Sequence, residues 1–218
     1  MDGSIFRIPW LSITVDVPTD VDWEALRSRA LAAVCCCQQA GLLADAESCR
    51  RVGRMQLSEL PALEVCRSVS APPEHVWTLV SDITRVSDWG GECVHAEWID
   101  GADRPAVGAR FRGHQVRQGR EWTSVSVVIE AQPGVSFAWA VGDPQYASAT
   151  WRYQLAADGS GGTILRYRAV MGPGPSGLSD AIAQAPERED SIIAFRLNEH
   201  EQNMTATLEA IKQAAEQG

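Results

Sequence analysis

Between residues 93 and 171 turn signals cut the sequence into short alternating segments, and this restricts the fold more than any other feature. The signals are Asp100-Gly101, Gln118-Gly119, Pro133-Gly134, Gly142-Asp-Pro144 and Asp158-Gly-Ser-Gly-Gly162, residue types that take a positive φ or pre-set a turn. The segments between them predict strands over 93–99, 109–116, 121–131, 136–141, 147–156 and 163–171, with a further strand at 63–69. Strands joined by turns this short pair antiparallel, so the expected sheet is a meander. Pro72 and Pro73 suit the first turn of a helix, where a missing N–H costs little. Val76, Leu79, Val80 and Ile83 follow as its inward stripe. His75 lies off that stripe and is expected in solvent.

A long helix closes the chain. It starts at Pro186-Glu-Arg-Glu-Asp190 and runs to about residue 216, with acids in the first turn where the helix dipole favours them. Its apolar positions are Ile193, Leu197, Met204, Leu208, Ile211 and Ala215, and the one gap in that spacing is filled by His200. At ~100° per residue all seven fall within roughly 80° of arc. His200 therefore sits in the face that covers the concave side of the sheet.

Composition narrows the partners. Lys212 is the single lysine among 19 basic residues, and the formal net charge is -9, so there is no basic stripe to neutralise phosphates and nucleic acid is not an expected partner. No stretch approaches the roughly 18 apolar residues of a membrane span. The start, Met1-Asp-Gly-Ser4, lacks the basic and apolar regions of a signal peptide, which predicts a cytoplasmic protein. Six cysteines stand at 35, 36, 37, 49, 66 and 93. Neighbouring helical residues point about 100° apart, so the three adjacent thiols cannot converge on a metal, and all six are expected as reduced, small hydrophobes.

The segment Val69-Ser-Ala-Pro-Pro-Glu-His-Val-Trp-Thr-Leu-Val-Ser-Asp-Ile-Thr-Arg-Val-Ser-Asp-Trp89, followed by Gly91-Glu-Cys93, Ala96-Glu-Trp98, Gly108-Ala-Arg-Phe-Arg-Gly113 and Trp122-Thr123, resembles bacterial START-like proteins of the polyketide cyclase/dehydrase and lipid-transport superfamily. The resemblance implies an α+β helix-grip fold: a curved antiparallel sheet wrapped around the C-terminal helix, with a hydrophobic ligand cavity between them. It spans a domain over 61–218. Residues 1–60 fall outside it and read as a short strand at 13–17, a helix over 21–39 with an apolar stripe from Trp23 to Cys37, and a second short helix near 45–52. That extension is expected to pack on the domain or on a second copy, giving a homodimer, rather than to carry catalysis. The 172–177 segment matches a dinucleotide G-x-G-x-x-G by letters alone. Pro173 and Pro175 remove two of the donors such a loop needs, so it reads as a stiff loop before the last helix, where START-like proteins often gate their cavity.

The candidate site follows from alternation. Trp151, Tyr153 and Leu155 share one face, as do Thr163, Leu165 and Tyr167, and Phe137, Trp139 and Val141. Together they predict an aromatic wall suited to a flat or polyene ligand. Phe111, Gly113 and Gln115 share another face in which the glycine leaves room and the amide is free for a carbonyl. Trp89, Leu197 and Met204 are further expected lining residues, and Asn203 and Thr207 flank His200. Glu121, grouped with Thr123, Val125, Val127 and Ile129, is a candidate inward carboxylate. His200 is the leading candidate acid/base, since an imidazole titrates near neutrality. The pair His95 and Glu97, with His114 from the next strand, has a metal-like spacing, but a bland strand face is favoured, and no metal or cofactor is expected. The favoured function is a cyclase/dehydratase acting on a hydrophobic carbonyl metabolite of small-molecule biosynthesis. The alternative is a carrier or sensor of a lipid-like molecule.

Overall fold

The computed structural model describes residues 55–218. The expectations for 1–54, including the Trp23 to Cys37 stripe and four of the cysteines, lie outside the described residues. The elements are β1 (Ala62–Val69), α1 (Pro73–Ser81), a 3-10 helix (Ile83–Asp88), β2 (Cys93–Ile99), β3 (Arg110–Arg117), β4 (Arg120–Gln132), β5 (Ser136–Val141), β6 (Ala149–Ala157), β7 (Thr163–Met171), α2 (Gly177–Gln184), a 3-10 turn (Pro186–Arg188) and α3 (Glu189–Gln217). The strands form one antiparallel sheet in the order β1-β7-β6-β5-β4-β3-β2. Hairpins account for every neighbour except β1, which pairs with the last strand and brings the two ends of the domain together. The helix-grip expectation is met: a curved sheet holds the long C-terminal helix.

α3 crosses the concave face against β1 and β7. Ile193, Leu208 and Ile211 are completely buried there, with Leu63 and Leu165 opposite them. Burial of each such side chain contributes about 1.5–3 kcal/mol. α1 closes one end of the sheet: Val76 is fully buried, and the Trp77 indole donates from Nε1 to the Ser136 carbonyl at 3.0 Å. The far end of α3 is fastened to β1 by Glu216, which accepts from the Ser70 amide at 2.7 Å.

Four expectations differ from the structure. α2 was not foreseen; its start is set by a reciprocal capping box between Ser176 and Ser179, which terminates orphan amides that a bare loop would leave free. The loop before it is bound down: Gly172 donates to Ser148 at 2.9 Å and Gly174 to Ala147 at 3.1 Å, so it is stitched to the β5–β6 connection. His75 is half-buried, and its Nε2 is buried without a hydrogen-bond partner among the described residues.

The fourth difference concerns β4. Its inner face carries Trp122, Ser124, Ser126 and Val128, as shown by their cross-strand partners Gln115, Gly113, Phe111 and Trp139. Glu121, Thr123, Val125 and Val127 therefore face outward. The apolar run misled the pattern because β4 lies inside the sheet, where neighbouring side chains half-bury both faces. A bulge between Val128 and Glu130 then changes the phase, so that Ala131 meets Phe137.

Candidate functional site

Because α3 rests on β1 and β7, inward-facing residues toward β3, β4 and β5 keep accessible surface. Gln115, Ser124, Trp139, Trp151, His200 and Asn203 are half-buried although they point inward, and these groups line the space between sheet and helix. The aromatic wall forms as alternation predicts. Trp139 stacks on Trp151 with ring centroids 6.5 Å apart and planes at 15°, Tyr153 on Tyr167 at 4.2 Å and 19°. Phe111 meets Trp139 edge-on at 6.1 Å and Trp98 at 5.8 Å. The register produces this directly: Trp139 is the cross-strand partner of Trp151, and Tyr153 of Tyr167.

His200 completes the wall from the helix side. Its imidazole stands edge-on to Trp151, centroids 5.0 Å apart and planes at 85°, and it makes no hydrogen bond to another described residue. Burial, reinforced by the Arg196 and Arg117 guanidiniums, holds its pKa well below the ordinary imidazole value. The ring is thus neutral at physiological pH. Burial also pushes the Tyr153 and Tyr167 phenols far above their usual range and raises the Cys93 thiol, so these three groups of the sheet carry no charge.

Beside His200 lies a cluster of ions that the sequence reading did not single out. The Arg196 guanidinium donates from Nη1 and Nη2 to the Glu92 carboxylate at 2.5 and 2.6 Å, and from Nη1 to Glu199 at 3.2 Å. Arg117, at the end of β3, grips Glu199 from Nε at 3.1 Å and from Nη2 at 2.6 and 2.7 Å. Asn203 donates to Glu92 at 3.3 Å. Gly90 and Gly91, both with positive φ, make the turn that brings Glu92 beneath α3, and a Cβ on Gly91 would stand 3.7 Å from the Thr207 hydroxyl. The signals available in sequence were the glycine pair and the position of Arg196 one helical turn before His200.

The remaining candidates separate by geometry. Glu121 is on the outer face, its side chain 66% exposed, 3.3 Å from His114. Its placement as an inward carboxylate is corrected, since the phase of β4 turns it to solvent. Gln115 is not free for a ligand carbonyl. With its Nε2 turned to the Gly113 and Trp122 carbonyls at 3.1 and 3.0 Å, its oxygen accepts from Ser124 at 3.0 Å. The room left by Gly113 is taken by that amide, since a Cβ there would lie 2.6 Å from the end of the Gln115 side chain and 3.3 Å from the Cys93 sulfur. Leu197, Met204 and Thr207 are buried in the packing of α3, and Trp89 is buried beneath the Arg85 guanidinium, 4.7 Å from its ring centroid. Glu97 pairs with Arg112 at 2.8 Å on the outer face. Among the described residues no group of His, Cys, Asp and Glu is placed to hold a metal. A separate groove of about 420 Å³, walled by Trp77, Trp98, Asp82 and Asp103, opens at the α1 end, away from His200.

Residues 61–216 match the model of the family described as polyketide cyclase/dehydrase and lipid transport. The chain belongs to that family. A polyketide-cyclase-like protein of Corynebacterium glutamicum is 30% identical, with a TM-score of 0.52 over 70% of this chain and 90% of its own. The aromatase/cyclase of Streptomyces sp. R1128 shares the fold at 19% identity and a TM-score of 0.55, over 71% of this chain and 93% of its own. A START superfamily protein of Mycobacterium smegmatis does so at 15% identity and 0.51, over 72% and 97%. No curated protein matches the sequence. Among the described residues of the chain, no helix is long and apolar enough to cross a membrane.

Proposed function

We propose that the protein is a cyclase/dehydratase-type enzyme that folds a hydrophobic, carbonyl-bearing metabolite against the Trp139 and Trp151 wall and moves a proton with His200. The observation that carries this reading is a neutral imidazole without a hydrogen-bond partner among the described residues, set edge-on to Trp151 at 5.0 Å in an aromatic-lined space. A neutral ring accepts a proton, and the same two cations that disfavour its charged form make the resulting imidazolium a strong donor. That combination suits dehydration of a β-hydroxy carbonyl. His200 takes the activated C–H proton next to the carbonyl; the C–O bond to the β-hydroxyl breaks, and the same proton leaves with that hydroxyl as water. Flat aromatic surfaces contribute by holding a flexible chain in the conformer that reacts.

Membership of a family that also includes lipid transport supports a second reading, a carrier of a lipid-like molecule, and Gln115 being occupied by β3 and β4 leaves few polar groups for chemistry. Incubation with a panel of aromatic β-hydroxyketones, followed by mass spectrometry for loss of water, decides between them. Turnover by the wild type that is abolished in His200→Ala, with ligand binding retained, is the expected result. Binding without product, or full turnover by His200→Ala, would leave the carrier as the better account.

A further inference from the structure

The groove at the α1 end combines groups that the aromatic wall around His200 does not. Two indoles, Trp77 and Trp98, and two carboxylates, Asp82 and Asp103, line a space of about 420 Å³, and Arg104 is the one cation among its lining residues. The last turn of α1 borders it as well, through Ser81. That turn is the negative end of a helix dipole, where carbonyls lack intrahelical partners.

Both indoles are held in place and both keep accessible surface. Trp77 donates from Nε1 to the Ser136 carbonyl at 3.0 Å, which leaves it no N–H to offer a guest. Trp98 stands edge-on to Phe111, centroids 5.8 Å apart and planes at 80°. The face of an indole carries negative potential and attracts cations. Asp82 joins α1 to the 3-10 helix at Ile83–Asp88. Its Oδ1 accepts from both the Thr84 amide at 3.0 Å and the Thr84 hydroxyl at 2.6 Å, and its Oδ2 has no donor among the described residues. Asp103 and Arg104 lie 3.9 Å apart in the β2–β3 loop, with side chains 85 and 83% exposed, so solvent screens that pair and it contributes little. Arg85 is engaged elsewhere, 2.8 Å from Asp88 and over the Trp89 ring.

Carboxylates, indole faces and a helix C-terminus all favour a positive guest. A hard metal ion is a poor fit, because indoles supply no oxygen ligands. A substituted ammonium suits the groove better, since its alkyl groups can cover the rings while its charge meets the carboxylates.

We propose that this groove is a second binding site, for the substituted ammonium group of a small organic cation: Trp77 and Trp98 pack on its alkyl groups, and Asp82 Oδ2 and Asp103 supply the countercharge. The site requires nothing of His200, so it stands or falls separately from the dehydratase reading. The experiment is a titration of the full chain with phenyltrimethylammonium, and with its neutral isostere tert-butylbenzene, followed through the indole N–H signals in ¹H–¹⁵N NMR. Trp77 and Trp98 are assigned by loss of their signals in Trp77→Phe and Trp98→Phe. The cation is expected to shift these two signals saturably and to bind at least about fivefold more tightly than the isostere. Asp82→Asn, which keeps the Oδ1 acceptor for Thr84, and Asp103→Asn should each weaken the cation about fivefold and leave the isostere unchanged. His200→Phe should bind it as the wild type does. Equal binding of the two probes overturns the proposal, as do shifts confined to Trp139 and Trp151, no saturable shift at all, or Asn variants that bind the cation as the wild type does.

Discussion

Replacing His200 with Phe separates what the imidazole costs the fold from what it provides to the site. The ring interrupts an apolar stripe, has no hydrogen-bond partner among the described residues and stands edge-on to Trp151. A fully buried polar group left unpaired costs about 1–3 kcal/mol; His200 is half-buried, which places it at about 1 kcal/mol. Phe retains the edge-on contact and removes the unmatched nitrogens. For a chain of this size that gain corresponds to a melting temperature about 2–4 °C higher near neutral pH. The pH dependence has a definite sign. His200 has a lowered folded-state pKa, so below the ordinary value near 6.5 the unfolded chain binds a proton that the folded chain refuses, and wild-type stability falls as pH drops through that range. The Phe variant lacks this loss, so its advantage should widen between about pH 7.5 and pH 5. Thermal unfolding followed by circular dichroism at both values, with turnover measured in parallel, is the assay. A Phe variant that melts below wild type at both pH values, or an advantage that does not grow in acid, would refute the picture of a neutral, partnerless imidazole.

Two further predictions follow from the surrounding charges. Glu92→Ala strips Arg196 of its bidentate partner in a pair about one-sixth exposed, and should cost about 2–3 kcal/mol in urea unfolding at unchanged m-value, between exposed and buried pairs; a change below about 0.5 kcal/mol would show the cluster to be mechanically idle. Glu121→Ala, at an outward and largely exposed carboxylate, should leave turnover at wild-type level and stability within about 0.5 kcal/mol, and loss of turnover without unfolding would return Glu121 to the site.

Local pattern and cross-strand register were legible in the sequence to different depths. Alternation placed Trp139, Trp151, Tyr153 and Tyr167 on one wall because β5, β6 and β7 are joined by short, regular turns that leave a single register. On β4 the same rule failed for Glu121. Apolar residues occupy both faces of that strand, and the bulge after Val128 shifts the phase, so which face is inner depends on Gln115, Gly113 and Phe111 across the ladder rather than on β4 itself. Gln115 shows a related limit: its position was readable, but its amide turned out to be engaged by carbonyls of its own and the neighbouring strand.

By itself the sequence determined the seven strands, the antiparallel hairpins from β2 to β7, the helices α1 and α3 and the face of α3 that is buried, because turn chemistry and hydrophobic periodicity are properties of neighbouring residues. It also placed His200 on that face. The tertiary structure alone decided the electrical state of the imidazole. Glu92, Arg117, Arg196 and Glu199 come from the lead-in to β2, the end of β3 and α3, and the paired Glu92 and Arg196 are 104 residues apart. Coulomb interactions and desolvation depend on distance in space and on local dielectric, and neither is written in the order of the chain.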